Sequence, residues 1–125
     1  MTASFVHTCI RVRDIDASKE FYGRLGFEQR GRLRFESAYN IYMGLPGGGD
    51  VLELTVNVGQ EEPYDLGDGY NHMALTVDDL DGMLAELAKA GIEPERPPYT
   101  IRDGGSRLCF VRDPDGYRIE LIERG

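Results

Sequence analysis

Tryptophan is absent from the 125 residues, and histidine and cysteine occur only twice each. Two cysteines, far apart and without a Cys-x-x-Cys spacing, give no sign of a disulfide-stapled secreted domain. Cys9 and Cys109 each stand in an apolar, strand-like run, where a small buried hydrophobe is expected. No apolar stretch nears the roughly 18–20 residues that span a bilayer, so no membrane partner is expected. The opening, MTASFVHTCIRVRD, lacks the basic n-region and long apolar core of a signal peptide. A cytoplasmic location is the default expectation. Basic residues are also scarce: 14 Lys and Arg against 22 Asp and Glu give a formal charge of −8. That balance excludes nucleic acid as an expected partner, because phosphate surfaces need a basic counter-surface. A small anionic ligand stays open, since it needs only a local cluster of arginines.

What the chain does have is an internal repeat. Displaced by 65 positions, HTCIRVRDIDASKEFYGRLGFE falls on HMALTVDDLDGMLAELAKAGIE. His7 meets His72, Val12 meets Val77, Asp14 meets Asp79, Asp16 meets Asp81, Gly26 meets Gly91 and Glu28 meets Glu93. A second echo, displaced by 67, sets Leu52-Glu53-Leu54 against Ile119-Glu120-Leu121. Each half therefore runs from His through a helix and strands to a Glu in an apolar strand.

Residues 5–12 and 72–77 read as strands. Asp79 is an N-cap type, and Leu80, Met83, Leu84 and Leu87 then follow helical spacing. Gly91 closes that helix, as Gly26 closes a shorter one over about 16–25. Further strands are expected at about 27–34, 37–44 and 50–57, and again at about 93–97, 106–112 and 117–123. Gly47-Gly48-Gly49 and Asp113-Pro114-Asp115-Gly116 are turns, and 59–70 is a linker. The expected fold is α+β: two tandem βαβββ modules, at about 1–60 and 68–125, within a single domain covering 1–125.

Side chains alternate across a strand, so residues two apart share a face. His7, Cys9 and Arg11 oppose Ile10 and Val12; Glu53, Thr55 and Asn57 oppose Leu52, Leu54 and Val56. His72 opposes Met73, Leu75 and Val77, and Glu120 opposes Ile119 and Leu121. One face of each sheet is thus aliphatic, suited to a helix. The other carries one His or Glu per strand, and two such sheets would form an open, polar-centred cleft. A lone strand His or Glu is ordinarily a solvated polar residue. Here both histidines occupy the same place in the repeat, and both glutamates do likewise. Together His7, Glu53, His72 and Glu120 offer two imidazoles and two carboxylates, a donor set for Ni, Co, Mn, Fe or Zn.

Several stretches carry a family resemblance: HTCIRVRDIDASKEFYGRLGF, VLELTVNVG, YDLGDGYNHMALTVDDL and FVRDPDGYRIELIE. They are similar to glyoxalase I (lactoylglutathione lyase) of the vicinal-oxygen-chelate superfamily, the glyoxalase/bleomycin-resistance/dioxygenase fold. The resemblance implies one octahedral metal on His7, Glu53, His72 and Glu120. A histidine at position 7 resembles the shorter bacterial type, which implies nickel or cobalt ahead of zinc or manganese. Arg11 and Asn57 fall on the family's glutathione γ-glutamyl contacts, and Arg102 on its glycyl-carboxylate contact. The implied reaction converts the glutathione–methylglyoxal hemithioacetal into S-lactoylglutathione, with Glu120 as base and Glu53 as the second candidate. A homodimer is implied as well. Segments 29–44 and 95–107 depart from the family pattern, which leaves the thiol less defined than the metal.

Three other functions remain on the sequence alone. An epimerase or other enolising isomerase shares the metal-held enolate, but typically carries Gln at position 53. An extradiol dioxygenase uses a 2-His-1-carboxylate iron site, against which a fourth ligand speaks. A drug-sequestering binding protein needs no metal, and four retained ligands speak against it.

Overall fold

The computed structural model describes residues 1–124. Two compact units divide between Tyr64 and Asp65, inside the segment expected to be a linker. Among the described residues no helix is long and apolar enough to cross a membrane.

The first unit runs β1 (Thr8–Val12), α1 (Ile15–Arg24), β2 (Glu28–Phe35), β3 (Ala38–Gly44) and β4 (Asp50–Asn57). Its sheet has the order β1-β4-β3-β2, with β1 and β4 parallel and the remaining pairs antiparallel. Register places Ile10 and Ile41 on Leu54, Val12 on Val56 and Met43 on Leu52. All seven are buried, so the expected aliphatic face is real. Helix α1 adds Ser18, Phe21 and Tyr22 to that core, and Tyr22 meets the rings of Phe21 and Phe27 edge-on. Each fully buried Leu of this kind contributes about 2 kcal/mol.

Both helix ends follow from local chemistry. Asp14 Oδ1 accepts from the Asp16 and Ala17 amides, relieving donors that a helix start leaves orphaned. The Phe27 amide reaches back to the Tyr22 carbonyl at 3.0 Å, a closure that needs Gly26 at φ +103°. At the β3–β4 turn, the Arg30 guanidinium donates to the carbonyls of Leu45 and Gly48, both at 2.6 Å. A Cβ on Gly44 would stand 2.6 Å from the Gly49 carbonyl oxygen, so the turn admits only glycine there.

The second unit runs β5 (Met73–Val77), α2 (Leu80–Ala88), β6 (Leu108–Arg112) and β7 (Arg118–Glu123). Asp79 caps α2 through the Gly82 amide, and Ile92 N–H closes on Leu87 as Phe27 does on Tyr22. The sheet order is β5-β7-β6, with β5 and β7 parallel. Leu80, Leu87, Cys109, Val111, Ile119 and Leu121 are buried. The Asp113 carboxylate shapes the β6–β7 turn by accepting from the Asp115 and Tyr117 amides, each at 2.9 Å.

Three expectations need correction. Residues 93–97 form no strand; their place is held by the Glu95 amide bonded to the Phe110 carbonyl and an isolated Tyr99–Leu108 bridge. Pro97 and Pro98 explain this, since neither can donate to a ladder. Cys9 is exposed on the polar face of β1, unlike Cys109, which is buried as expected. Residues 5–7 also precede the strand, with Phe5 and Val6 exposed.

Candidate metal and substrate site

Strand parity turns Glu53 to the polar face of the first sheet, and His7, immediately before β1, brings its Nε2 to 2.5 Å from Glu53 Oε2. The imidazole is 39% exposed and the carboxylate side chain only 11%. The second unit repeats the arrangement: His72 Nε2 lies 3.1 Å from Glu120 Oε1, at 31% and 13% exposure. In both, an accessible ring stands over a mostly buried carboxylate. Glu120 also lies within the electrostatic reach of Arg118. A carboxylate so far removed from water ordinarily has a charged partner. Within either unit the ligand-type side chains gather as a pair, and among the described residues no third His, Cys, Asp or Glu joins them.

The supports of the two pairs differ. In the first, the Asn40 amide on β3 donates to Glu53 Oε1. Its own carbonyl accepts from the Thr55 hydroxyl at 2.7 Å, and Thr55 Oγ1 lies 3.2 Å from Cys9 Sγ. In the second, Asn71 Oδ1 sits 2.5 Å from His72 Nδ1. An amide oxygen can only accept, so His72 Nδ1 is the donor to Asn71, and Nε2 is the ring nitrogen that faces Glu120. Phe110 packs its ring edge-on to His72 at 5.1 Å between centroids. Arg118 covers Phe110 at 3.9 Å and is forked by both oxygens of Glu95 at 2.9 Å. Those bonds, with the added charge of Arg112, hold the Glu95 carboxyl below its ordinary range.

The expected thiol-side residues are more dispersed. Arg11 lies on the same face of β1, opposite Thr55 on β4. Asn57 ends β4 with its amide donating to the Tyr64 hydroxyl at 3.0 Å. Arg102 lies in the other unit, exposed in a loop, where it lines an open cavity of about 360 Å³ with Ser106, Leu108, Ile122 and Arg124. Neither Cys9 nor Cys109 joins a ligand pair; burial pushes the Cys109 thiol up to about 11, which makes it inert.

Asn40 was not singled out by sequence, because it lies in the divergent segment 29–44. The one available signal was parity: in AYNIYMG it alternates with Ile41 and Met43 and so faces the side that carries Glu53.

Comparison with known proteins places the chain in a family. The profile of the Glyoxalase/Bleomycin resistance protein/Dioxygenase superfamily matches residues 4–121. A probable lactoylglutathione lyase of Vibrio parahaemolyticus is 37% identical over 123 residues, covering 94% of this chain and 88% of the relative. Glyoxalase I from Zea mays superposes with a TM-score of 0.87 at 30% identity, over 97% of this chain but 44% of the maize chain. The chain thus spans under half the length of the maize enzyme. The trypanothione-dependent glyoxalase I of Leishmania major superposes with a TM-score of 0.82 at 32% identity, over 98% of this chain and 87% of that one. From the profile match, the identities and the two matched His–Glu pairs, the chain belongs to the glyoxalase I family within this superfamily.

Proposed function

We propose that this chain isomerises the hemithioacetal of a 2-oxoaldehyde and glutathione to the S-2-hydroxyacyl thioester, as a lactoylglutathione lyase. One observation carries the reading: two His–Glu pairs, alike in exposure, stand at corresponding places of an internal repeat. The donor set fits a divalent metal, since each mostly buried carboxylate stands against an imidazole, giving two nitrogen and two carboxylate donors in all. His7, Glu53, His72 and Glu120 would hold that ion, with nickel or cobalt favoured over zinc and manganese. When bound, it supplies positive charge for the two vicinal oxygens and so lowers the cost of the enediolate.

The chain's own groups do the rest. Glu120 takes the proton from the hydroxylated carbon of the hemithioacetal and returns it to the neighbouring carbon. No net oxidation occurs. Glu53 serves as ligand and as the second candidate base. Arg11 and Asn57 bind the γ-glutamyl end. Arg102 binds the glycyl carboxylate, and the nearby Arg124 and Ser106 suit an anion. A cytoplasmic homodimer completes the reading.

An ultraviolet assay of thioester formation from methylglyoxal and glutathione tests it. Apoprotein would be reconstituted with nickel, cobalt, manganese and zinc in parallel. Turnover is expected with nickel or cobalt above zinc. A parallel arm with trypanothione reads the thiol, in view of the Leishmania relative. Absence of turnover with every metal and both thiols would overturn the assignment.

A further inference from the structure

The internal repeat makes Glu53 and Glu120 equivalent in sequence, but the structure does not treat them alike. Around Glu53, the flanking β4 position is Thr55 and its β3 neighbour in register is Asn40. The displacement of 67 that carries Glu53 onto Glu120 carries Thr55 onto Ile122, whose β6 neighbour in register is Leu108. Two hydrogen-bonding residues in one half are therefore two aliphatic residues in the other. Tyr42 opposite Glu53 and Phe110 opposite Glu120 keep the echo otherwise.

The direction of the Asn40 bonds follows from donor chemistry alone. An ionised carboxylate can only accept, so the Asn40 NH₂ must face Glu53. Asn40 Oδ1 then faces Thr55, whose hydroxyl spends its one proton there at 2.7 Å. Cys9 is left as donor to Thr55 Oγ1 at 3.2 Å. The amide is thus held at both ends in a site where it is 7% exposed. A fixed donor on Oε1 leaves Oε2, the oxygen beside His7 Nε2, as the one free to ligate.

Resting on the ligand set proposed above, we propose that Asn40, oriented by Thr55, is a positioning residue that locks Glu53 as a fixed metal ligand. Glu120 has Leu108 and Ile122 where Glu53 has Asn40 and Thr55, so it lacks this lock. Asn40 touches no substrate; it acts through Glu53.

The test uses the full chain loaded with Co(II), read by competition against a chromophoric chelator and by the visible bands of the bound ion. Asn40→Ala is expected to weaken Co(II) binding by about 10–100-fold, the usual effect of losing a partner behind a ligand, and to alter the visible bands. Thr55→Val keeps the amide but frees its orientation, and is expected to weaken binding in the same direction by a smaller factor. Wild-type affinity and bands in Asn40→Ala would overturn the role of Asn40. If that variant does not fold, by circular dichroism, Thr55→Val decides on the same two readouts. Failure of the wild-type chain itself to bind Co(II) would instead overturn the underlying ligand set.

Discussion

Replacing Glu120 by Gln separates its two proposed roles more cleanly than any other change. Gln matches Glu in length, keeps one carbonyl oxygen as a neutral ligand, and cannot take up a proton at neutral pH. The side chain is 13% exposed and has His72 Nε2 as its neighbour at 3.1 Å, so the isostere fits without a void. Loss of a positioned base ordinarily costs a factor of about 10²–10⁴ in rate. Each tenfold corresponds to about 1.4 kcal/mol of barrier, giving about 3–5 kcal/mol in all. Metal content should fall far less, because His7, Glu53 and His72 are untouched. The assay pairs turnover of the hemithioacetal, followed as thioester absorbance, with metal stoichiometry by mass spectrometry on the same sample. The expected result is near-stoichiometric metal with kcat down by about 10²-fold or more. Turnover close to wild type in metal-loaded Glu120→Gln would refute the base assignment. The same loss in Glu53→Gln with metal retained would move that role to Glu53.

Glu95→Gln removes the carboxylate that both Arg112 and Arg118 engage. Its folded carboxyl lies below the ordinary 4.5, so its stabilisation is complete above that value and is lost as pH falls through the lower folded value. In urea titrations the wild type should exceed the variant by about 1 kcal/mol at pH 7, with the gap closing below pH 4.5. An unchanged gap at pH 3 would show that the ion pairs are not its source. Gly26→Ala forces a Cβ onto a residue at φ +103°. It should destabilise the chain by about 1–2 kcal/mol even though the nearest atom, Leu45 Cδ2, is 3.6 Å from the added carbon. A neutral result in thermal melts would mean that the turn relaxes.

Alternation and repetition made the polar faces legible because both act at fixed period. One residue of parity sets which side of a strand Glu53 and Glu120 occupy, and one displaced comparison pairs them. Gly26 and Gly91 marked both helix ends for an equally local reason, a backbone angle that residues with a Cβ resist. The failures have different causes. Segment 93–97 has a plausible strand composition, yet Pro97 and Pro98 deny it a donor just where the ladder would have to continue. Cys9 was placed in the core by residue type, whereas its parity with His7 and Arg11 already put it on the polar face.

Asn40 shows the limit most clearly. Its role depends on Thr55, 15 residues away, and on Glu53, 13 residues away, meeting across a β3–β4 register that the sequence does not specify. Register in turn depends on the turn that Arg30 fastens and on the irregularity between Met43 and Gly44. A one-residue slip would carry Asn40 to the aliphatic face, leaving a buried amide without partners. The cost of such an orphan, about 1–3 kcal/mol, itself disfavours the slip. The Asn40–Glu53 bond therefore helps select the register that creates it. The repeat that makes the two halves alike also shows where they part: an Asn–Thr pair beside Glu53 and a Leu–Ile pair beside Glu120. In the proposed roles, a ligand and a base place different demands on a carboxylate, and the two halves differ in the residues that surround each one.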